Sequence, residues 1–299
     1  MSKLKVLVAI PHFFNSGDQS NKPHGSSLFS NRKKRFDFVG QCINSYKQVF
    51  EVLGIDGRIL LFGDPRNSLL PIDIDVSKNV ENSLHIPWAT IDYVATYVHE
   101  YDFVVVAEDD ICIQSRTFKE LLELELQLDS SSLVIPNRIE VFENQTFCVD
   151  LLSKYRWKTK SKSILGNNFR EPINTHSGFI LMSSLKFSSA YKKRKHTHPT
   201  KIGDLGFLES ALANITNSFK VYRKTPAHSS LQVTHLDSWL GMQINQKNLS
   251  HQRARRLVID SEEDGYNYYV SFYFTRPLTL LAKKFFYYLK YKIQGEGND

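Results

Sequence analysis

Three consecutive carboxylates, Glu108-Asp109-Asp110, follow directly on the apolar run FVVVA (103–107) and lead into a second apolar run, ICI (111–113). Like charges packed at the end of a buried strand repel one another, and each raises the cost of ionising the next. Such a cluster persists where a cation relieves it. Hard carboxylate oxygens suit Mg²⁺ or Mn²⁺, which bind through few protein carboxylates and complete their shell with other oxygens. The plainer alternative is a solvated turn whose acids end a strand and start a helix. The apolar flanks on both sides favour the cation site. Elsewhere, His235 in VTHLDSW is either a ligand or a hydrogen-bonded structural histidine. His196-Thr-His198 invites a metal reading too, but the lysines and arginines beside it would repel a cation.

The elements that must position these residues are legible as periodicity. Lys5 to Ile10 is a β-branched apolar run closed by Pro11, a buried strand. A polar segment from Asn15 to Arg35 reads as a loop, followed by a helix carrying Phe36, Val39, Ile43, Tyr46 and Phe50 and ending before Gly54. Arg58 to Phe62 is a second strand, stopped by Gly63-Asp64-Pro65. Ile91 to Glu100 reads as a helix, Phe103 to Ala107 as the strand that delivers the acids, Phe118 to Leu128 as a helix and Ser132 to Ile135 as a strand. Leu152 to Arg170 is basic with a Gly-Asn-Asn turn, GFILM (178–182) is another buried strand, and Tyr191 to Lys195 reads as a basic loop. Leu205, Leu208, Leu212, Ile215 and Phe219 then step by three and four along a helix opened by Gly203-Asp204. Strands alternating with helices predict an α/β fold with a mostly parallel sheet, and in such sheets ligands sit at the carboxyl ends of strands.

The 299 residues are enough for one large α/β domain, and 41% hydrophobic against 23% charged residues is ordinary for a globular protein. A net charge of +7 favours anionic partners. The basic residues are spread over loops with no recognisable nucleic-acid module, so nucleic acid is not an expected partner. Three widely spaced cysteines, Cys42, Cys112 and Cys148, argue against a disulfide framework and for a reducing compartment. No signal-peptide pattern and no membrane-spanning apolar run is evident, so the chain reads as cytoplasmic.

The order of strand, Glu-Asp-Asp, apolar residue and helix resembles the DxD-type metal motif of GT-A glycosyltransferases, and is particularly similar to the N-acetylglucosaminyltransferase I type. The resemblance spans roughly residues 5–240. It implies a GT-A (Rossmann-like) fold, a Mn²⁺ or Mg²⁺ cofactor bound by Asp110, and contacts from Glu108 and Asp109 to the ribose and sugar of a nucleotide-sugar donor. Pro11 and His12, after the first strand, would meet the nucleotide, and Asp64 would recognise its base or serve only its turn. Ser177 and Gly178 would lie under the acceptor. His235 would reach the metal or the diphosphate. Asp204 would act as base in an inverting reaction, as a helix cap, or both, with Glu209 one turn on as the other acid. The chain departs from the family in having no clear second acid before Asp204. Within the basic run Arg32 to Arg35, Arg35 could reach diphosphate oxygens, or the run could simply open a helix. Arg138, with Glu140 in VIPNRIE, is an acceptor-contact candidate.

The implied activity is transfer of a sugar from a nucleotide-sugar donor to the hydroxyl of a glycan or lipid-linked acceptor. A nucleotidyltransferase would carry a glycine-rich basic signature after the first strand, which HFFNSGDQSNKP lacks; a non-catalytic scaffold would leave the strand-end acids unexplained. Residues 1–240 are expected to form the catalytic domain and 241–299 a C-terminal extension. In that extension Leu278, Leu281, Ala282, Phe285 and Leu289 share one helical face, with lysines and tyrosines around it. Such an amphipathic helix fits an anionic membrane surface at the cytoplasmic face, or packs back on the domain.

Overall fold

The computed structural model describes residues 3–14, 32–80, 85–142, 145–148, 162–172, 175, 178–194, 207–225 and 231–237. Among these, the elements run β1 (Lys5–Pro11), α1 (Arg32–Leu53), β2 (Asp56–Gly63), β3 (Ile74–Asp75), α2 (Ile86–Tyr97), β4 (Phe103–Ala107), β5 (Ile111–Ile113), α3 (Ser115–Gln127), β6 (Ser132–Val134) and β7 (Asn137–Phe142). They continue with β8 (Gln145–Cys148), β9 (Lys162–Ile164), β10 (Asn167–Arg170), β11 (Phe179–Ser183), α4 (Ser184–Lys193), α5 (Phe207–Thr216), β12 (Lys220–Lys224) and β13 (Gln232–His235).

The main sheet has the order β11-β4-β1-β2-β3. Its strands β1, β4 and β11 are apolar along nearly their whole length because both faces are covered. Val6, Val8 and Ile10 of β1, Phe103 and Val105 of β4, and Phe179 and Leu181 of β11 pack on one side against α1 and α3. The alternate residues Leu7 and Ala9, Val104 and Val106, and Ile180 and Met182 pack on the other side against α2, α4 and α5. The result is three layers, helix–sheet–helix, with two cores separated by the sheet.

The pairings of β1 with β2 and β4, and of β2 with β3, are parallel, whereas β11 joins β4 antiparallel. Two smaller sheets, β6-β12-β10-β9 and β5-β13-β7-β8, also combine both directions. The expectation of a mostly parallel sheet is therefore corrected to an α/β fold of mixed sheets. Parallel pairing governs the centre of the main sheet, where crossover helices connect the strands, and antiparallel partners fill in around the site.

Several boundaries also differ. Helix α1 starts at Arg32, so the basic residues expected in a loop form its first turn; it stops in a Schellman turn, with Gly54 at φ 64°, its N–H on Glu51 O and the Ile55 N–H on Phe50 O. Helix α2 begins at Ile86, with Pro87 in its first turn, because Ile86, Trp88 and Ala89 are already buried. Of the expected basic loop, Tyr191 to Lys193 belong to α4, Arg194 caps it, and Lys195 lies outside the described residues. This helix buries little beyond Phe187, Ala190 and the Lys186 stem, which leaves a faint periodic signal. In the basic segment the turn itself is Leu165-Gly166, both at positive φ, and Asn167 and Asn168 already lie in β10.

One buried ion pair ties the layers. Lys186 Nζ of α4 donates to Glu125 Oε2 of α3 at 2.9 Å and to the Ser132 carbonyl of β6 at 3.0 Å. Glu125 Oε1 accepts the Ser183 N–H at the end of β11, at 2.9 Å. Among the described residues no helix is long and apolar enough to cross a membrane. The C-terminal helix expected over 277–293, and with it the extension 241–299, lies outside the described residues.

Candidate metal centre

From β1 the chain passes outward through β2 and β3, then returns to place β4 on the opposite flank of β1. That reversal makes the carboxyl ends of β1 and β4 the switch point, where open α/β sheets form their ligand crevice. Here His12, just after β1, meets the acids just after β4. His12 Nε2 accepts the Leu69 N–H at 3.2 Å, so Nδ1 carries the proton and donates to Asp109 Oδ2 at 2.5 Å.

Sheet pairing brings in the second half of the site. Strand β5 leaves the acids and pairs with β13, with Ile111 opposite His235, and the Leu236 N–H donates to the Asp110 carbonyl at 2.9 Å. On the other side of β13 the parallel register Val233–Arg138 and Thr234–Ile139 sets Glu140 beside His235. The His235 Nδ1–H donates to Glu140 Oε1 at 2.7 Å, and Nε2 faces Asp110 Oδ2 at 3.6 Å.

Glu108, Asp110 and His235 each offer one ligand atom, all within 4.8 Å of one another. Two hard oxygens and an imidazole suit a borderline-hard divalent cation such as Mn²⁺, and Mg²⁺ less well because of the nitrogen. The carboxylate behind the imidazole is the usual outer support of a metal-bound histidine, fixing its tautomer and raising its basicity. Gly178 completes the fit. It sits at φ 65°, its carbonyl accepts the Glu108 N–H at 2.8 Å, and a Cβ there would collide with Glu108 Oε2 and lie 2.9 Å from Cδ. The room a side chain would take is given to the Glu108 carboxylate.

Charge in the cluster is partly offset within the chain. Arg35, in the first turn of α1, forks onto two acids: Nη1 donates to Asp110 Oδ2 at 2.7 Å, and Nη2 donates to Asp109 Oδ1. Arg138 Nη1 approaches Glu108 Oε2 at 3.7 Å. Burial disfavours the charge on Asp110, but His235 and Arg35 outweigh it and hold the carboxyl below its usual range. Burial likewise opposes protonation of His235, yet Asp110 and Glu140 raise it to about 9. Asp237, two residues beyond His235, is pushed up to about 6 by burial and then by Asp110.

Of the residues singled out from sequence, Pro11, His12, Arg35, Glu108, Asp109, Asp110, Arg138, Gly178 and His235 line or border this one crevice. Asp64 sits at the end of β2, where it caps a short 3-10 turn and accepts from Arg66 backbone and side chain and from Asn67. Its oxygens serve that turn. Glu209 falls on α5 with its side chain outside the description, and Ser177, Asp204, His196 and His198 lie outside the described residues altogether. Sequence reasoning missed Glu140 as the support of His235, and it missed Asp237. Glu140 lies two residues after Arg138 in a strand that carries no acidic pattern, and only the β7–β13 register reveals its partner.

No protein-family model and no curated protein sequence matches the chain. Many solved structures are distantly similar, two among them instructive in what they cover. One is A197 from STIV, at 14% identity over 79% of this chain and 87% of that one, with a TM-score of 0.35. The other is a candidate nucleotide-diphospho-sugar transferase from Desulfovibrio desulfuricans G20, at 10% identity over 91% of this chain and 96% of that one, with a TM-score of 0.40. Likeness at that level carries no argument about activity, so the function has to be read from the site.

Proposed function

We propose that this chain is a metal-assisted glycosyltransferase of the GT-A kind, moving a sugar from a nucleotide-sugar donor to the hydroxyl of a glycan or lipid-linked acceptor. The observation that carries this reading is the Glu108–Asp110–His235 group at the switch point of the sheet, with Glu140 behind the imidazole. The N-acetylglucosaminyltransferase I-type reading of Glu108-Asp109-Asp110 rests on the strand-end motif. Asp110 and His235 are the proposed metal ligands, with Glu108 completing the set or holding the donor sugar. A divalent cation bound there would neutralise the charge that develops on the departing diphosphate. His12 and Asp109, locked to each other, would orient the nucleotide, with Pro11 shaping the crevice floor. Arg35 would contact the diphosphate, and Asp64 would reach the base only by giving up turn contacts. Arg138, Ser177 and Gly178 are assigned to the acceptor side.

For an inverting transfer a carboxylate must take the acceptor proton, and Asp204 at the head of the α5 segment is the proposed base, with Glu209 as its rival. Residues 1–240 form the proposed catalytic domain, and 241–299 the extension whose amphipathic helix would hold the enzyme at an anionic membrane surface. Sedimentation with anionic vesicles of the intact chain against one ending at Thr275 separates that role from packing on the domain.

The deciding experiment is a calorimetric and thermal-shift screen of nucleotide sugars with and without Mn²⁺, on the wild type and Asp110→Ala. A Mn²⁺-dependent gain for one donor class, lost in the variant, is expected. Undiminished metal-dependent donor binding by Asp110→Ala would overturn the assignment. Asp204→Asn should then lower turnover by orders of magnitude at unchanged donor affinity; an active Asp204→Asn beside an inactive Glu209→Gln would transfer the role to Glu209.

A further inference from the structure

Asp110 Oδ2 has two claimants. It is the oxygen that faces His235 Nε2 at 3.6 Å, across the gap where a cation would sit, and it is the oxygen to which Arg35 Nη1 donates at 2.7 Å. A divalent ion held between Glu108, Asp110 and His235 would therefore lie against a guanidinium already bound to one of its ligand atoms. Both are positive, and in a crevice where the acids are almost fully buried little solvent screens them from each other. Arg35 cannot shed its charge, because a guanidinium stays protonated throughout the working pH range. It has to move bodily.

The geometry points to Arg35 as a resident counter-ion that occupies the metal-binding carboxylates until a diphosphate draws it away, so that the chain takes its divalent cation together with a diphosphate rather than alone. This inference rests on the metal-dependent reading above and adds an order of affinities to it. Arg35 is suited to both positions. Its side chain, in the first turn of α1, is 17% exposed, more than the 6% and 7% of the two aspartates it holds. Its fork spans Asp109 and Asp110 in the present arrangement and matches the paired oxygens of a diphosphate equally well. Departure leaves little unsatisfied. Asp109 keeps the His12 Nδ1–H on Oδ2, and Asp110 exchanges the guanidinium for the cation. A cation arriving alone displaces Arg35 into water with no new partner, whereas a cation arriving with a diphosphate supplies one. Binding of the two is then positively coupled, and coupling of this sort is reciprocal.

The test measures three ligands by calorimetry: Mn²⁺ alone, inorganic pyrophosphate alone and the pre-formed Mn²⁺–pyrophosphate complex. The proteins are the intact wild type, Arg35→Ala, Arg35→Gln and Asp110→Ala. The wild type should bind the complex at least tenfold more tightly than either component. Removing Arg35 should strengthen Mn²⁺ alone about tenfold or more and weaken pyrophosphate, collapsing the advantage of the complex. Arg35→Gln, which keeps a similar length without charge, should behave alike and stands in if the alanine variant folds poorly. If Mn²⁺ alone binds both variants no better than the wild type while Asp110→Ala loses it, the metal centre stands and the counter-ion role falls. If the wild type binds neither Mn²⁺ nor the complex, the metal-dependent reading fails first and takes this inference with it.

Discussion

His235 stands between two carboxylates with different duties: Asp110 faces it across the ligand gap, and Glu140, buried at 1% exposure, holds its far nitrogen. If the imidazole is a metal ligand, removing the charge behind it while keeping an acceptor should weaken the metal without disturbing the fold. We expect Glu140→Gln to lower Mn²⁺ affinity by about 10-fold to 100-fold, read by calorimetry, with an unchanged circular dichroism spectrum. Equal affinity in the variant would leave Glu140 as no more than a strand residue. Gly178 makes a sharper case, since two penalties meet there. An added Cβ would be strained at φ 65°, by about 1–2 kcal/mol, and would drive the Glu108 carboxylate from its place. Gly178→Ala should therefore lose metal affinity by more than its loss in stability explains, and Gly178→Ala combined with Glu108→Ala, which removes the colliding carboxylate, should regain the part of the stability lost to the collision, but neither the part lost to backbone strain nor the metal.

Among the elements, the pair Lys186–Glu125 does for the helical layers what hydrogen bonding does for the sheet, joining α3, α4, β6 and the end of β11 at one point. Breaking it strands a buried charge, so Glu125→Ala should cost about 3–5 kcal/mol in denaturant unfolding. The double change Glu125→Leu with Lys186→Met should recover most of that, because well-packed apolar replacements of a buried pair are often neutral. The strands and the long helices were open to a reading of periodicity, since β1, β4 and β11 are buried on both faces and α1 repeats its core residues every three or four positions. Glu108 to Asp110 stood out for the same reason, as charge where the pattern is otherwise apolar. What stayed hidden depends on register. That β13 lies between β5 and β7, and so hands His235 to both Asp110 and Glu140, follows from long-range pairing that local propensity does not encode. Helix α4 escaped because its buried face is small, and Asp64 stayed open between base contact and turn residue because its turn contacts come from neighbours whose side chains fold back on it.

For the molecule as a whole, acid stability should be set partly by carboxylates outside the Glu108–Asp110–His235 group. Asp64, held by the Arg66 side chain first, and Asp129, held by the Ser131 hydroxyl first, are each lowered to about 2. Their unfolded values lie near 3.9, so the stability they contribute is fully present above about pH 4 and is lost as pH falls through about 2. Urea unfolding between pH 4.5 and 2.5 should show a shallower decline for Asp64→Asn with Asp129→Asn than for the wild type; parallel declines would contradict it. The candidate metal centre is assembled across great distances along the chain. Asp109 meets His12 97 residues away, Asp110 meets Arg35 75 residues away, and Glu140 meets His235 95 residues away. Each closure has its own entropic cost, and the contacts that repay it form only when both ends have arrived. A refolding chain can thus be compact, with its central strands paired, before it has any affinity for a cation. In a stopped-flow experiment the capture of Mn²⁺ would then lag behind the recovery of secondary structure, making the ion a clock for the last step of folding.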